Sequence, residues 1–117
     1  MNLEERIKSF AALGEIMRSV IKGRSGIYGE QLSAAIDKQR DLNPWFTPEN
    51  VRTAVNAIAV ELTEENLISW TNTYPGLKEK INPVKAGVIM AGNIPLVGFH
   101  DFLSVLISDN FLIAKTS

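Results

Sequence analysis

After Pro83 the chain carries two short apolar runs, Ala86–Ala91 and Phe111–Ala114, separated by an almost continuously apolar stretch, residues 96–107. Neither run alternates apolar with polar residues. That pattern suits strands buried on both faces, as in a parallel sheet. The stretch between them is long enough for a helix, and its polar residues, His100, Asp101 and Ser104, form a narrow stripe. Gly92-Asn93-Ile94-Pro95 reads as the turn into that helix, with Pro95 near its first position, and Asp109-Asn110 as the turn out. Strand, helix and strand in this order predict a right-handed βαβ unit.

A helix apolar over most of its circumference needs cover on several sides, which two strands do not supply. Parallel sheets are covered on both faces and hold more than two strands. The outer edge of the second strand would also present unpaired donors and acceptors. The expectation is an incomplete sheet, continued by residues outside this chain or by another copy of it. A small α+β domain whose helices cover both strands stands equal to that expectation on pattern alone.

The residues before Pro83 read as helices. Leu3, Ile7, Phe10, Gly14, Met17 and Ile21 recur at helical steps and predict a first helix over about 3–22. Asn2 and Glu5 form a capping box at its start, and Gly23 stops it. Residues 24–29 read as a loop. A second helix is expected over about 30–41, with Leu32, Ala35, Ile36 and Gln39 on one side, and Asn43-Pro44 breaks the chain. Thr47-Pro48-Glu49 is a helix start with a hydroxyl cap, a proline at the first position and an acid in the first turn. Val51, Val55, Ile58 and Leu62 share a face of that third helix. Thr63-Glu64-Glu65 caps a fourth through Leu67 and Trp70, ended by Tyr74-Pro75-Gly76. Two regions result: a helical lead-in, 1–83, and the βαβ unit, 84–117, which together make one α/β domain.

Composition excludes several classes of function. The 117 residues are 45% hydrophobic and 21% charged, an ordinary globular balance. The formal net charge is −1, from 12 basic and 13 acidic residues, which gives no electrostatic case for nucleic acid or an anionic membrane. Trp45, Phe46, Trp70 and Tyr74 have no basic surplus beside them, so packing explains them better than base stacking. There is no cysteine, which excludes a disulfide scaffold, a thiolate zinc site and any thiol nucleophile within these residues. No apolar run approaches the ~20 residues that span a bilayer, and the start lacks the pattern of a signal peptide. The expectation is a cytoplasmic protein.

The segment KAGVIMAGNIPLVGFHDFLSVLISDNFLIAKTS, 85–117, resembles the acyl-CoA reductases of the LuxC-like branch of the aldehyde dehydrogenase superfamily. NPWFTPENVRTAVNAIAVELTEENLISW, 43–70, is similar to that family's helical lead-in. The most specific pieces are Met90-Ala91-Gly92-Asn93-Ile94-Pro95 and Ile113-Ala114-Lys115-Thr116-Ser117; Gly92 and Gly98 do not fit G-x-G-x-x-G. The resemblance implies that the βαβ unit begins an aldehyde-dehydrogenase-like nucleotide-binding domain, incomplete here. It implies the amino-terminal portion of a reductase that takes a long-chain acyl-CoA, forms an acyl-cysteine and reduces it with NADP(H) or NAD(H) to an aldehyde. The cysteine would lie outside this chain, so the chain alone is expected to be inactive and not to hold the cofactor by itself. A homo-oligomer, or association with the missing parts of the parent, is expected.

The resemblance also gives roles to two residues, Asn93 and Lys115, and glycine's own properties give a reading for Gly92. Asn93 matches the asparagine whose side-chain amide donates to the substrate carbonyl oxygen, where negative charge develops. From the residues alone a turn or helix-cap asparagine is the better reading. Lys115 matches a lysine that bonds the adenosine ribose hydroxyls, at the carboxyl end of a strand where open α/β sheets bind ligands; the alternative is a solvated lysine. Gly92 either lets backbone approach the cofactor or serves only its φ angle. His100 shares a face with Ser104, but no aspartate completes a triad, and a single histidine makes no metal site. Against the reductase stands a different class: a small helical α+β interaction module whose strand edge recruits a partner and which has no catalytic duty.

Overall fold

The computed structural model describes residues 1–24 and 26–116. Ser25, within the expected loop, and Ser117, which closes the Ile113-Ala114-Lys115-Thr116-Ser117 segment, lie outside them. The architecture is mixed α/β. Helices α1 (Leu3–Ile21), α2 (Ile27–Leu42), α3 (Pro48–Glu61) and α4 (Glu64–Asn72) precede a 3-10 turn, Pro75–Lys78. Strand β1 (Lys85–Ile89), helix α5 (Phe99–Ile107) and strand β2 (Phe111–Lys115) follow. The two strands pair in parallel, with Lys85 opposite Phe111 and Ile89 opposite Lys115.

Helix α1 is the centre of the packing and touches α2, α3, α4 and α5. Its start is the expected capping box: Asn2 Oδ1 accepts from the Glu5 N–H at 2.9 Å, and Glu5 Oε2 accepts from the Asn2 N–H at 2.9 Å. Ile7, Gly14, Met17 and Val20 are buried, with Leu3, Phe10 and Ile21 packed around them. Ile36, Val51, Val55, Ala59, Leu62 and Leu67 complete the helical part of the core. Leu103 and Ile107 of α5 join the same cluster, so the helices and the βαβ unit share one interior. Thr47 and Thr63 cap α3 and α4 as their positions predict, accepting from the N–H groups of Asn50 at 3.2 Å and Asn66 at 3.1 Å.

Two arginines of α1 finish other helices. Arg18 Nη1 donates to the carbonyls of Ala59 and Leu62 at the end of α3. Arg6, buried despite its charge, donates from Nε to the Ile107 carbonyl at 2.9 Å and from Nη1 to the Met1 carbonyl at 2.6 Å. Asp109, in the left-handed region at φ 68° just past α5, places Oδ1 3.5 Å from Arg6 Nη1. A cation at a helix C-terminus meets both the unpaired carbonyls and the negative end of the dipole. Arg6→Met keeps the apolar stem and removes all three partners, leaving a buried carbonyl orphaned. We expect it to lower stability by about 2 kcal/mol, read as a shift in the urea midpoint at unchanged slope. On the exposed face of α1, Lys8 donates to Glu4 at 2.8 Å; this bond holds the Glu4 carboxyl below its ordinary pKa and raises that of Lys8.

Several expectations are corrected. Helix α2 begins at Ile27, so Ile27, Tyr28 and Gly29 are helical rather than loop. Gly26 at its N-cap offers no side-chain oxygen, which removed the usual start signal. Ala35 is exposed, while Leu32, Ile36 and Gln39 face inward. Trp45 is 71% exposed and Tyr74 56%, so neither packs in the core; Phe46 and Trp70 do. The Trp45 N–H donates to Asn43 Oδ1, and this tight turn throws the indole outward. The strands are also not buried on both faces. Ala86, Val88 and Leu112 are half-buried, while Phe111, Ile113 and Ile89 are 60%, 58% and 86% exposed. Helix α5 packs on both strands, and their side chains alternate between its side of the sheet and the open side.

The helix after β1 also starts later than expected, at Phe99, so Pro95 is not at its first position. Leu96 sits at φ 57°, a left-handed conformation that costs a non-glycine residue about 1–2 kcal/mol and breaks a helical path. Gly98 instead lies against Met90, the residue after β1. A Cβ on Gly98 would stand 2.6 Å from Met90 Cγ, so a larger residue there would have to push Met90 aside.

Candidate functional site at the carboxyl rim of the sheet

Parallel pairing in this register ends both strands at one rim. The ladder runs to that end: the Met90 N–H donates to the Lys115 carbonyl at 2.9 Å. At the opposite end the Phe111 N–H donates to Val84 at 2.9 Å, and Asn110 Oδ1 accepts from the Val84 N–H at 3.0 Å. Gly92 and Asn93 follow β1 directly, and Lys115 is the last residue of β2. The three residues singled out by sequence therefore share one edge of the sheet, where open α/β folds bind ligands.

Asn93 is exposed and does not cap α5. Gly98 holds the N-cap position, and no side chain caps that helix. The helix-cap reading of Asn93 thus falls, and the asparagine stands on a turn. Lys115 is exposed, and its Nζ donates to the Thr116 carbonyl at 2.5 Å. Among the described residues this bond takes one of the three donors of the ammonium. Gly92 does not have a positive φ, so the conformational explanation for a glycine there does not apply.

Beside this rim lies a cavity of about 430 Å³. One wall comes from the end of α2 and the connection to α3: Gln39, Leu42, Asn43 and Phe46. The other comes from Met90, Ala91, Ile94, Leu96, Val97, Gly98 and Thr116. Asn93 and Lys115 are not in the lining; their neighbours Ala91, Ile94 and Thr116 are. The lining is mainly apolar, with a few polar groups from Gln39, Asn43 and Thr116, the usual make-up of a small-molecule site.

Sequence reasoning missed Asn43. It marked the residue only as a chain break before Pro44. In the fold its Nδ2 donates to the Gly92 carbonyl at 2.6 Å, across 49 positions of sequence. No local pattern announces such a contact. His100 is exposed and its ring lies 5.8 Å from that of Trp70 at 45°, a packing contact in keeping with the ordinary reading of a lone helical histidine. Among the described residues no three His, Cys, Asp or Glu side chains group as metal ligands, and no helix is long and apolar enough to cross a membrane. No family model, curated protein or solved structure matches this chain.

Proposed function

We propose that this chain is the amino-terminal portion of a cytoplasmic, NAD(P)H-dependent acyl-CoA reductase, its βαβ unit opening an aldehyde-dehydrogenase-like nucleotide-binding domain. One observation carries the reading: Gly92, Asn93 and Lys115 meet at the carboxyl rim of two parallel, in-register strands. Parallel pairing of the two strands is what the reading requires; antiparallel strands would have set Asn93 and Lys115 at opposite ends of the sheet.

The roles follow from the chemistry of each group. The Asn93 amide is a neutral donor, suited to an oxygen on which negative charge grows while a thiolate adds to an acyl carbon. Lys115 offers ammonium donors to vicinal ribose hydroxyls, and Gly92 adds no side chain between backbone and ligand. These residues fit a nicotinamide dinucleotide, which when bound supplies the hydride that reduces the acyl group. One asparagine does not complete an oxyanion site, so a second donor and the thiol come from other residues of the parent protein.

The test uses two samples with an acyl-CoA and NADPH: the 117-residue chain and the full-length polypeptide that contains it. The longer protein is expected to oxidise NADPH and release aldehyde, and the shorter one to do neither. In the longer protein Lys115→Ala is expected to raise the cofactor KM about tenfold, the loss of roughly 1.4 kcal/mol of binding, with the acyl-CoA KM unchanged. Enzyme-like turnover by the short chain, or no aldehyde from the long one, refutes the reading.

A further inference from the structure

Asn43 is the C-cap residue of α2, and its backbone N–H donates to Gln39 at 2.9 Å. Both ends of its side-chain amide are engaged. Oδ1 accepts from the Trp45 N–H at 3.1 Å, and Nδ2 donates to the Gly92 carbonyl at 2.6 Å. The Gly92 carbonyl and the Asn93 N–H belong to one planar peptide unit. A bond that holds this carbonyl therefore fixes the plane from which the Asn93 side chain departs. The near end of the turn is fixed by Met90 on Lys115, and the far end by Gly98 against Met90. Between them lies Leu96 in its left-handed conformation, which favours relaxation of the turn once a restraint is lost.

We infer that Asn43 is the positioning residue for Asn93, a tether from the helical region that sets the Gly92–Asn93 peptide and with it the direction of the Asn93 amide. Its kinetic consequence rests on the reductase reading; its structural consequence does not. Asn43 touches no reacting atom and acts through Asn93, so removing it loosens the geometry of a donor without deleting the donor. Displacing a catalytic group by about an ångström costs on the order of 10²-fold in rate.

The experiment has two arms. In the full-length polypeptide, Asn43→Ala is expected to lower kcat by about 10- to 100-fold with the acyl-CoA KM nearly unchanged. Asn43→Asp keeps the acceptor for Trp45 but loses the donor, and is expected to behave as the alanine variant. In an Asn93→Ala background, Asn43→Ala is expected to cost less than about twofold more, because the group it positions is gone. Full additivity of the two substitutions overturns the proposal while the reductase reading stands. Loss of no activity in Asn93→Ala alone overturns that reading instead.

The second arm uses NMR relaxation on the 117-residue chain and needs no activity. The backbone order parameter at Asn93 is expected to fall from about 0.85 to below about 0.6 in Asn43→Ala, with Val88 and Leu103 unchanged. An Asn93 order parameter equal in the two proteins overturns the tether.

Discussion

Under the proposed reductase function, Asn93→Ala, made in a full-length polypeptide, is expected to lower kcat by about 10²- to 10³-fold while leaving the acyl-CoA and cofactor KM values near their starting points. That is the effect of removing one preorganised donor to a developing oxyanion, about 2.7–4 kcal/mol of transition-state stabilisation. The pattern matters as much as the size. A donor that strengthens only as charge builds shows in kcat, whereas a residue that merely binds substrate shows in KM. Asn93 is exposed and caps no helix, so the variant is expected to unfold at the same denaturant concentration as the parent. A kcat within twofold of the parent removes Asn93 from the chemistry.

The largest loss of stability is expected from Gly14→Ala. An alanine in the middle of a helix normally gains about 1 kcal/mol over glycine. Here the added Cβ would stand 2.0 Å from the Leu62 carbonyl oxygen and 2.7 Å from Leu62 Cβ. The obstacle is backbone, so a rotamer change does not relieve it. Leu62 is also held in place: it is 2% exposed, and its carbonyl accepts from Arg18 Nη1 at 3.0 Å. Helices α1 and α3 must part, and overpacking of this kind costs about 1–3 kcal/mol and occasionally more. A Cβ 2.0 Å from a backbone oxygen puts the cost at or beyond the top of that range, so after subtracting the helix preference of about 1 kcal/mol we expect a net loss of about 2 kcal/mol or more in urea unfolding. A variant more stable than the parent would show that α1 and α3 do not approach as closely as described.

Gly14 also illustrates how far the sequence could be read. Its place in the series Leu3, Ile7, Phe10, Gly14, Met17 put it on the inner face of the first helix, and there it lies. The spacing could not say that a carbonyl of another helix fills the space a side chain would take. Caps were legible for a similar reason. Asn2 with Glu5, Thr47 with Pro48, and Thr63 ahead of Glu64 each act within a single turn, and local chemistry is what a sequence displays. The start of α2 was missed because Gly26 caps with backbone alone. The start of α5 was missed because Leu96 adopts a conformation that its side chain does not announce.

The strands taught a different lesson. Continuous apolar runs correctly indicated parallel pairing, but in this chain one face of the sheet stays open, with Ile89 86% exposed. Apolar character on both faces of a strand here announced the pairing direction but not the burial. The candidate site was legible in its rim, through Gly92, Asn93 and Lys115, and illegible in its wall. Asn43, Leu42 and Phe46 reach the cavity from far along the sequence, Asn43 lying 49 positions from Gly92, and only the tertiary fold brings them there.

The account stands on one rim serving acyl transfer to a thiol and reduction of the product. Intact-mass measurement of the full-length polypeptide, mixed with an acyl-CoA in the absence of NADPH, tests it most directly. The predicted result is a gain of one acyl group, formed at least about 10²-fold more slowly in Asn93→Ala, and discharged as aldehyde when NADPH is added. An unchanged mass, or acylation indifferent to Asn93→Ala, would contradict it.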